Sequence, residues 1–186
     1  MSGPRPIARL RRRRTGAAVY AAVLCLVVLA LSAAIGLALR QPWLFPSLGP
    51  TIMLFFESPE QPASRPVNAL VGHGVGLLAG VACFHLLGPG GGASVPEAGI
   101  TVPYLLAGAV SVAVTTLVLS LLQLPHPPAG ATTLIVSLGI LTQPAQLAAM
   151  ACAVVAVTAA GWGLNAVLLG RDGVDPPGSR TTAARL

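Results

Sequence analysis

Four long apolar stretches alternate with two short ones along the chain, and the short ones are broken by proline and glycine. The long stretches are Ala17 to Leu39, Val67 to Leu87, Ile100 to Leu122 and Ala145 to Leu169. Each is uncharged and about 20 residues or more, the length a helix needs to cross ~30 Å of hydrocarbon. The short segments are "LFPSLGPTIMLFF" (Leu44 to Phe56) and "HPPAGATTLIVSLG" (His126 to Gly139). The pattern predicts an all-α integral membrane protein with four long transmembrane helices and two short Pro/Gly-broken membrane segments. The segments divide into a basic N-terminus (1–16), a transmembrane domain (17–169) and a polar, flexible tail (170–186).

Within the transmembrane domain, "GPGGGASVPEAG" (Gly88 to Gly99) separates two halves, 17–87 and 100–169, each reading long span, short segment, long span. Pro46, Gly49 and Thr51 of the first short segment recur 81 residues later as Pro127, Gly130 and Thr132, so P-x-x-G-x-T occurs at the equivalent point of each half. Two internal repeats are therefore expected.

Composition excludes a soluble domain: 54% of residues are hydrophobic and 9% charged. Between Arg14 and Arg171 the charges are Arg40, Glu57, Glu60, Arg65 and Glu97. The formal charge of +6 is no nucleic-acid signal, because six of the eleven arginines lie in "RPIARLRRRRTG" directly before the first span, with no aromatic interleaving. A basic flank of this kind anchors the N-terminus in the cytoplasm. The apolar run that follows is too long for the core of a cleaved leader, so the first span is expected to be retained. Lysine is absent while alanine and arginine are abundant, which suggests a GC-rich bacterial genome and an inner (plasma) membrane location. Cys25, Cys83 and Cys152 occur singly in apolar spans and read as small packing residues.

Proline fixes φ, lacks an N–H and holds the preceding residue extended, so "PHPP" reads as unwound chain feeding a helix. The first amides of such a helix have no carbonyl partners and must face protein or a water-filled cavity. A helix N-terminus carries roughly half a positive charge and suits an anion. Two broken segments at matching points of two halves point to a transporter or channel with its site between repeats. The donors expected there are the first-turn amides, expected to start near Pro50 and Pro128, and the hydroxyls of Ser47, Thr51, Thr132 and Thr133. His73 and His126 would add adjustable charge or hydrogen bonds, whereas His85, near a span end, needs no explanation beyond an interfacial imidazole.

An enzyme is not expected. There is no Asp before Asp172, no H-E-x-x-H and no G-x-S-x-G. Glu57, Glu60 and His73 are too widely spaced to read as a zinc set, and neither a metal nor a cofactor is indicated. A structural or assembly subunit without transport is the alternative class.

"FPSLGPTIMLFF", "SRPVNALVGHGVG" (Ser64 to Gly76) and "LPHPPAGATTLI" together resemble the HPP family of integral membrane proteins, named for a His-Pro-Pro tripeptide that stands here as His126, Pro127 and Pro128. The resemblance covers roughly Arg40 to Leu169. It implies a bundle usually described as four membrane helices, found in bacteria and plant plastids, the plastid members being associated with nitrite transport. Some bacterial members carry soluble CBS domains, for which this chain has no room after Leu169. The family's motif positions fall on Ser47, Gly49, Pro50 and Thr51, on Arg65, Asn68, Gly72 and His73, and on His126, Pro127, Pro128, Gly130 and Thr132. The expected partners are the lipid bilayer and a small inorganic anion, with a homo-oligomer left open and nucleic acid excluded.

Whether the short segments cross or re-enter is nearly balanced by charge. Six crossings put ten arginines inside against Arg40 outside, and re-entrant segments put nine against two. Six crossings place Ser64 inside and Gly91 outside and make the halves inverted.

Overall fold

Proline opens three of the four long helices, because a residue with fixed φ and no N–H is tolerated in the first helical turn. The computed structural model describes residues 6–11 and 13–170 and, among them, helices without strands. The long helices are α2 (Arg14–Leu39), α4 (Pro66–Leu86), α6 (Val102–Leu121) and α8 (Pro144–Leu169), all long and apolar enough to cross a membrane. Between them lie α3 (Leu48–Glu57), a 3₁₀ turn (Pro62–Ser64), α5 (Val95–Ala98) and α7 (Ala129–Ser137), and α1 (Pro6–Arg11) precedes them. The predicted spans agree to within three residues, the largest difference being that α2 starts at Arg14 within the basic stretch. The tail beyond Gly170 and the first five residues lie outside the described residues.

The short elements begin at Leu48 and Ala129, within two residues of Pro50 and Pro128 as expected. Pro50 sits inside the first turn of α3, and Pro128 is the residue before α7. Both placements suit proline, since the missing N–H is one that has no intrahelical partner.

Arg40 (φ 52°) and Gln123 (φ 55°) are the non-glycine residues with left-handed backbone among the described residues. Each follows the first long helix of a half. The next residue then closes the turn, Gln41 donating to the Gly36 carbonyl and Leu124 to the Leu119 carbonyl, both at 3.0 Å. The chain thereby folds back along the helix it has just left. Ser32, well inside α2, donates to the Trp43 carbonyl at 2.7 Å and satisfies backbone that would otherwise be unpaired at membrane depth.

Contacts fix the direction of each element. Arg11, just before α2, bonds Glu60 (2.6 Å) and the Glu57 carbonyl (3.2 Å), so α3 ends where α2 begins. This is called the near end. The Ser64 hydroxyl reaches the carbonyls of Leu54 and Ser58, which puts the start of α4 at the near end too. Tyr104 donates to the Ala93 carbonyl and Val95 to the Leu138 carbonyl, which gathers the start of α6 and the end of α7 at the far end. His126 meets the Ala63 carbonyl, so the chain after α6 has returned to the near end. The Tyr20 hydroxyl donates to Asn165 at 2.6 Å, and α8 therefore finishes there as well. The polypeptide changes ends six times: each short helix, with the unwound chain before it, completes a traverse.

Each short helix packs against the first long helix of its own half and the last long helix of the other: α3 on α2 and α8, α7 on α6 and α4. Glycine makes the cross-half contact possible. A Cβ on Gly80 would lie 2.8 Å from the Val136 Cβ, and one on Gly161 would lie 2.6 Å from Phe55 Cδ2. Gly80 and Gly161 are 81 residues apart, as are Phe55 and Val136. Small residues at such crossings let helices approach where lipid offers no hydrophobic drive.

The carbonyl ends of the short helices also find partners. Asn165 donates to the Phe55 carbonyl at 2.6 Å, and Ile140 and Leu141 donate to the Ile135 carbonyl. The outward surface is apolar, with Leu37 and Leu78 largely exposed, as a lipid-facing surface requires. Cys152 is exposed and Cys83 buried, so packing accounts for Cys83 and not for Cys152.

Candidate functional site

The first turns of α3 and α7 meet at α4, one from each half. Thr51 on α3 and Thr132 on α7 are fully buried, and His73 of α4 lies between them. Thr51 Oγ1 is 2.9 Å from His73 Nε2, and Thr132 Oγ1 is 2.6 Å from His73 Nδ1. The imidazole of His126 stands edge-on to that of His73, with ring centroids 5.0 Å apart and Nε2 to Nε2 at 3.3 Å.

Proton positions follow from requiring that every close contact be a hydrogen bond. The Thr51 hydroxyl donates to the Ser47 carbonyl at 2.9 Å, so its oxygen accepts from His73 Nε2–H. His73 Nδ1 is then the acceptor of the Thr132 hydroxyl. His126 Nδ1 faces the Ala63 carbonyl at 2.9 Å and must carry a proton. Its Nε2 is left as a lone pair facing His73 Nε2–H. The assignment makes both imidazoles neutral and gives the two threonine hydroxyls and each ring N–H an acceptor.

Local sequence explains why the rings meet. Gly72 precedes His73, and a Cβ there would lie 2.9 Å from the His126 Cβ. The unwound chain before α7 is held by Asn68, whose Nδ2 donates to the Pro125 carbonyl at 3.0 Å. Gly49 and Gly130, in the first turns of α3 and α7, open onto space: a Cβ on either would meet nothing within 4 Å.

The structure brings Ser47, Thr51, Asn68, His73, His126 and Thr132 into this buried region. Ser47 Oγ and Asn68 Oδ1 are buried there without a hydrogen-bond partner. Thr133 is turned away from His73: it donates to the Ala129 carbonyl and accepts from Thr115 of α6 at 2.9 Å. Pro128 is buried, whereas Pro50 and Pro127 are exposed, and Pro127 lines a cleft beside α6. The expected amide donors of α7 are engaged, since Ala129, Gly130 and Ala131 donate to the carbonyls of His126, Pro127 and Pro128 in a tight first turn. Glu60 is held by Arg11 at the near end, apart from His73. His85 stacks edge-on against Phe84 toward the far end of α4.

Thr115 and the Ala63 and Pro125 carbonyls are participants that sequence reasoning missed. A hydroxyl in an apolar span is the only signal Thr115 offers. A cleft of about 560 Å³ lies between α6 and the chain before α7, lined by Thr115, Ser120, Gln123, His126 and Gly130 among others.

The model for "HPP, transmembrane region" matches residues 8–172. Neither a curated protein nor a solved structure matches the chain.

Proposed function

This chain belongs to the HPP family, and from that premise we propose that it is a membrane transporter or channel for a small anion, whose path runs where α3 and α7 meet. The observation that carries this reading is the convergence of Thr51 and Thr132 on one imidazole, beside two glycines that open onto space. Both short helices point their amino ends at this region, and each contributes roughly half a positive charge. No lysine or arginine stands in either short segment, so these dipoles and the free Ser47 hydroxyl supply the positive field that an anion in a dry interior demands. Because the α7 amides are engaged in their own turn and the threonine and ring donors in their own network, the free side-chain donor there is the Ser47 hydroxyl.

The unpartnered Ser47 hydroxyl supports the same reading. A buried polar atom without a partner costs about 1–3 kcal/mol, which a bound solute or its water offsets. The two halves act as inverted repeats, with the N-terminus in the cytoplasm of a bacterial cell. The family resemblance makes nitrite the first solute to test. No covalent chemistry is assigned to the site, so the protein is read as a carrier or pore and not as an enzyme.

The test is flux into liposomes containing the purified protein, with nitrite, nitrate, formate and chloride. Protein-dependent uptake of one or more of these supports the reading. No uptake of any of them removes it and leaves a structural role in the membrane.

A further inference from the structure

One face of α6 turns polar toward its end. Val112, Thr115, Thr116, Leu119 and Ser120 recur at helical spacing and, with Gln123 just past the helix, line the cleft of about 560 Å³ beside the chain that leads into α7. We infer that this cleft is the near-end vestibule of the path, a water-filled site that holds a hydrated small anion before it reaches the buried hydroxyls. The inference rests on the transport reading above and names where solute enters.

Exposure decides what fills the cleft. Thr116, Ser120 and Gln123 are exposed, and a hydroxyl or carboxamide facing hydrocarbon forgoes the hydrogen bonds that water supplies. Where α6 carries Thr116 and Ser120, the positions 81 residues earlier on α2 are Ile35 and Leu39, so this polarity is particular to α6. The lining also suits an anion in sign. No acidic side chain stands among the described residues that form it. Gln123 donates through Nε2 to the Ser120 carbonyl at 2.8 Å and has a second amide hydrogen to offer, beside the hydroxyls of Thr116 and Ser120. Thr115 instead gives its proton to Thr133, whose own goes to the Ala129 carbonyl, and so presents lone pairs that suit the water around the anion.

The cleft is deep. Val112 lies nine residues before Leu121, the last residue of α6, so at ~1.5 Å per residue the cleft extends about 14 Å from the near end, roughly half of ~30 Å of hydrocarbon. Its lining includes Gly130, in the first turn of α7. A Cβ there would meet nothing within 4 Å, so even this innermost wall leaves room. Thr132, two residues on, is fully buried and outside the lining. The first turn of α7 therefore partitions the vestibule from the hydroxyls that meet His73, and solute must displace that turn to pass.

The experiment places single cysteines in a protein lacking Cys25, Cys83 and Cys152, reconstituted in liposomes, and adds a membrane-impermeant methanethiosulfonate that bears a sulfonate on the N-terminal side. Thr116→Cys and Ser120→Cys line the cleft, while Leu117→Cys lies at the same depth on the exposed face outside it. Positions 116 and 120 should react many-fold faster than 117, and nitrite should slow that reaction. Treatment should remove most of the nitrite flux of those two variants relative to untreated samples. Reaction at 116 and 120 as slow as at 117 means that lipid fills the cleft, which overturns the vestibule and leaves the transport reading intact; flux unchanged by treatment does the same. If wild type moves no anion, the transport reading itself fails. In that case, or in a variant already inactive before treatment, protection decides: nitrite that slows labelling keeps the cleft as an anion site, and labelling indifferent to nitrite overturns it. If one variant does not fold, the other carries the comparison.

Discussion

Thr51 and Thr132, 81 positions apart, hydrogen-bond to opposite nitrogens of one imidazole, that of His73. Each threonine ends the same P-x-x-G-x-T pattern, and each sits in the first turn of a short helix from a different half. Neither half alone completes the arrangement. The histidine belongs to the first half, and the position 81 residues on is Val154, so the site is asymmetric between the halves.

Removing either hydroxyl leaves a buried ring nitrogen without its partner. Thr51→Val and Thr132→Val should each destabilise the protein by about 1–3 kcal/mol and depress flux, while Thr→Ser at either position should retain both. Thermal unfolding in detergent and liposome uptake measure the two effects. Valine variants that match wild type in both would remove the hydroxyls from the account.

Gly72 and Gly130 should respond oppositely to a methyl group. Gly72→Ala drives a Cβ to 2.9 Å from His126, a backbone-anchored contact that cannot swing aside, and should cost about 1–3 kcal/mol of stability. Gly130→Ala meets open space and should unfold as wild type does. A comparison of unfolding midpoints checks the pair.

Much of the frame was legible because bilayer thickness and proline chemistry are strict. Apolar runs fixed the four long helices to within three residues, and the repeated proline and glycine marked both short ones. The site was legible as a set of residues but not as a set of bonds. That His73 lies between Thr51 and Thr132 depends on cross-half packing, set by Gly76 and Gly80 against α7, which no local pattern announces. The engaged amides of α7 were missed because the prolines before it, rather than barring a turn, lead into one in which three successive amides bond carbonyls three residues back.

Traverse of the bundle by both short segments makes a topological prediction. Ser64 is buried and a poor label site, so the test uses Arg65→Cys and Gly91→Cys, both exposed, in a background lacking Cys25, Cys83 and Cys152. An impermeant maleimide should reach position 65 from the side that carries the N-terminus and position 91 from the opposite side of sealed vesicles. The reverse, position 91 on the side of the N-terminus and position 65 opposite it, would return the short segments to re-entrant loops.

The loop joining the halves should loosen in acid. Ser94 caps α5 and, through its hydroxyl and backbone N–H, holds the Glu97 carboxyl below its usual value. A depressed carboxyl stabilises the folded loop above its ordinary pKa, and that contribution is lost as pH falls through the lowered value. The Ser94 amide resonance should shift over that acidic range in wild type and not in Glu97→Gln.

The central claim is that solute passes where the two short helices begin, beside Gly49 and Gly130. The most direct measurement is anion uptake by Gly49→Val and Gly130→Val in liposomes, beside unfolding midpoints for the same proteins. Open space at both positions predicts wild-type folding with uptake abolished. Wild-type folding with wild-type uptake in both variants would contradict the account and reduce the two breaks to architecture.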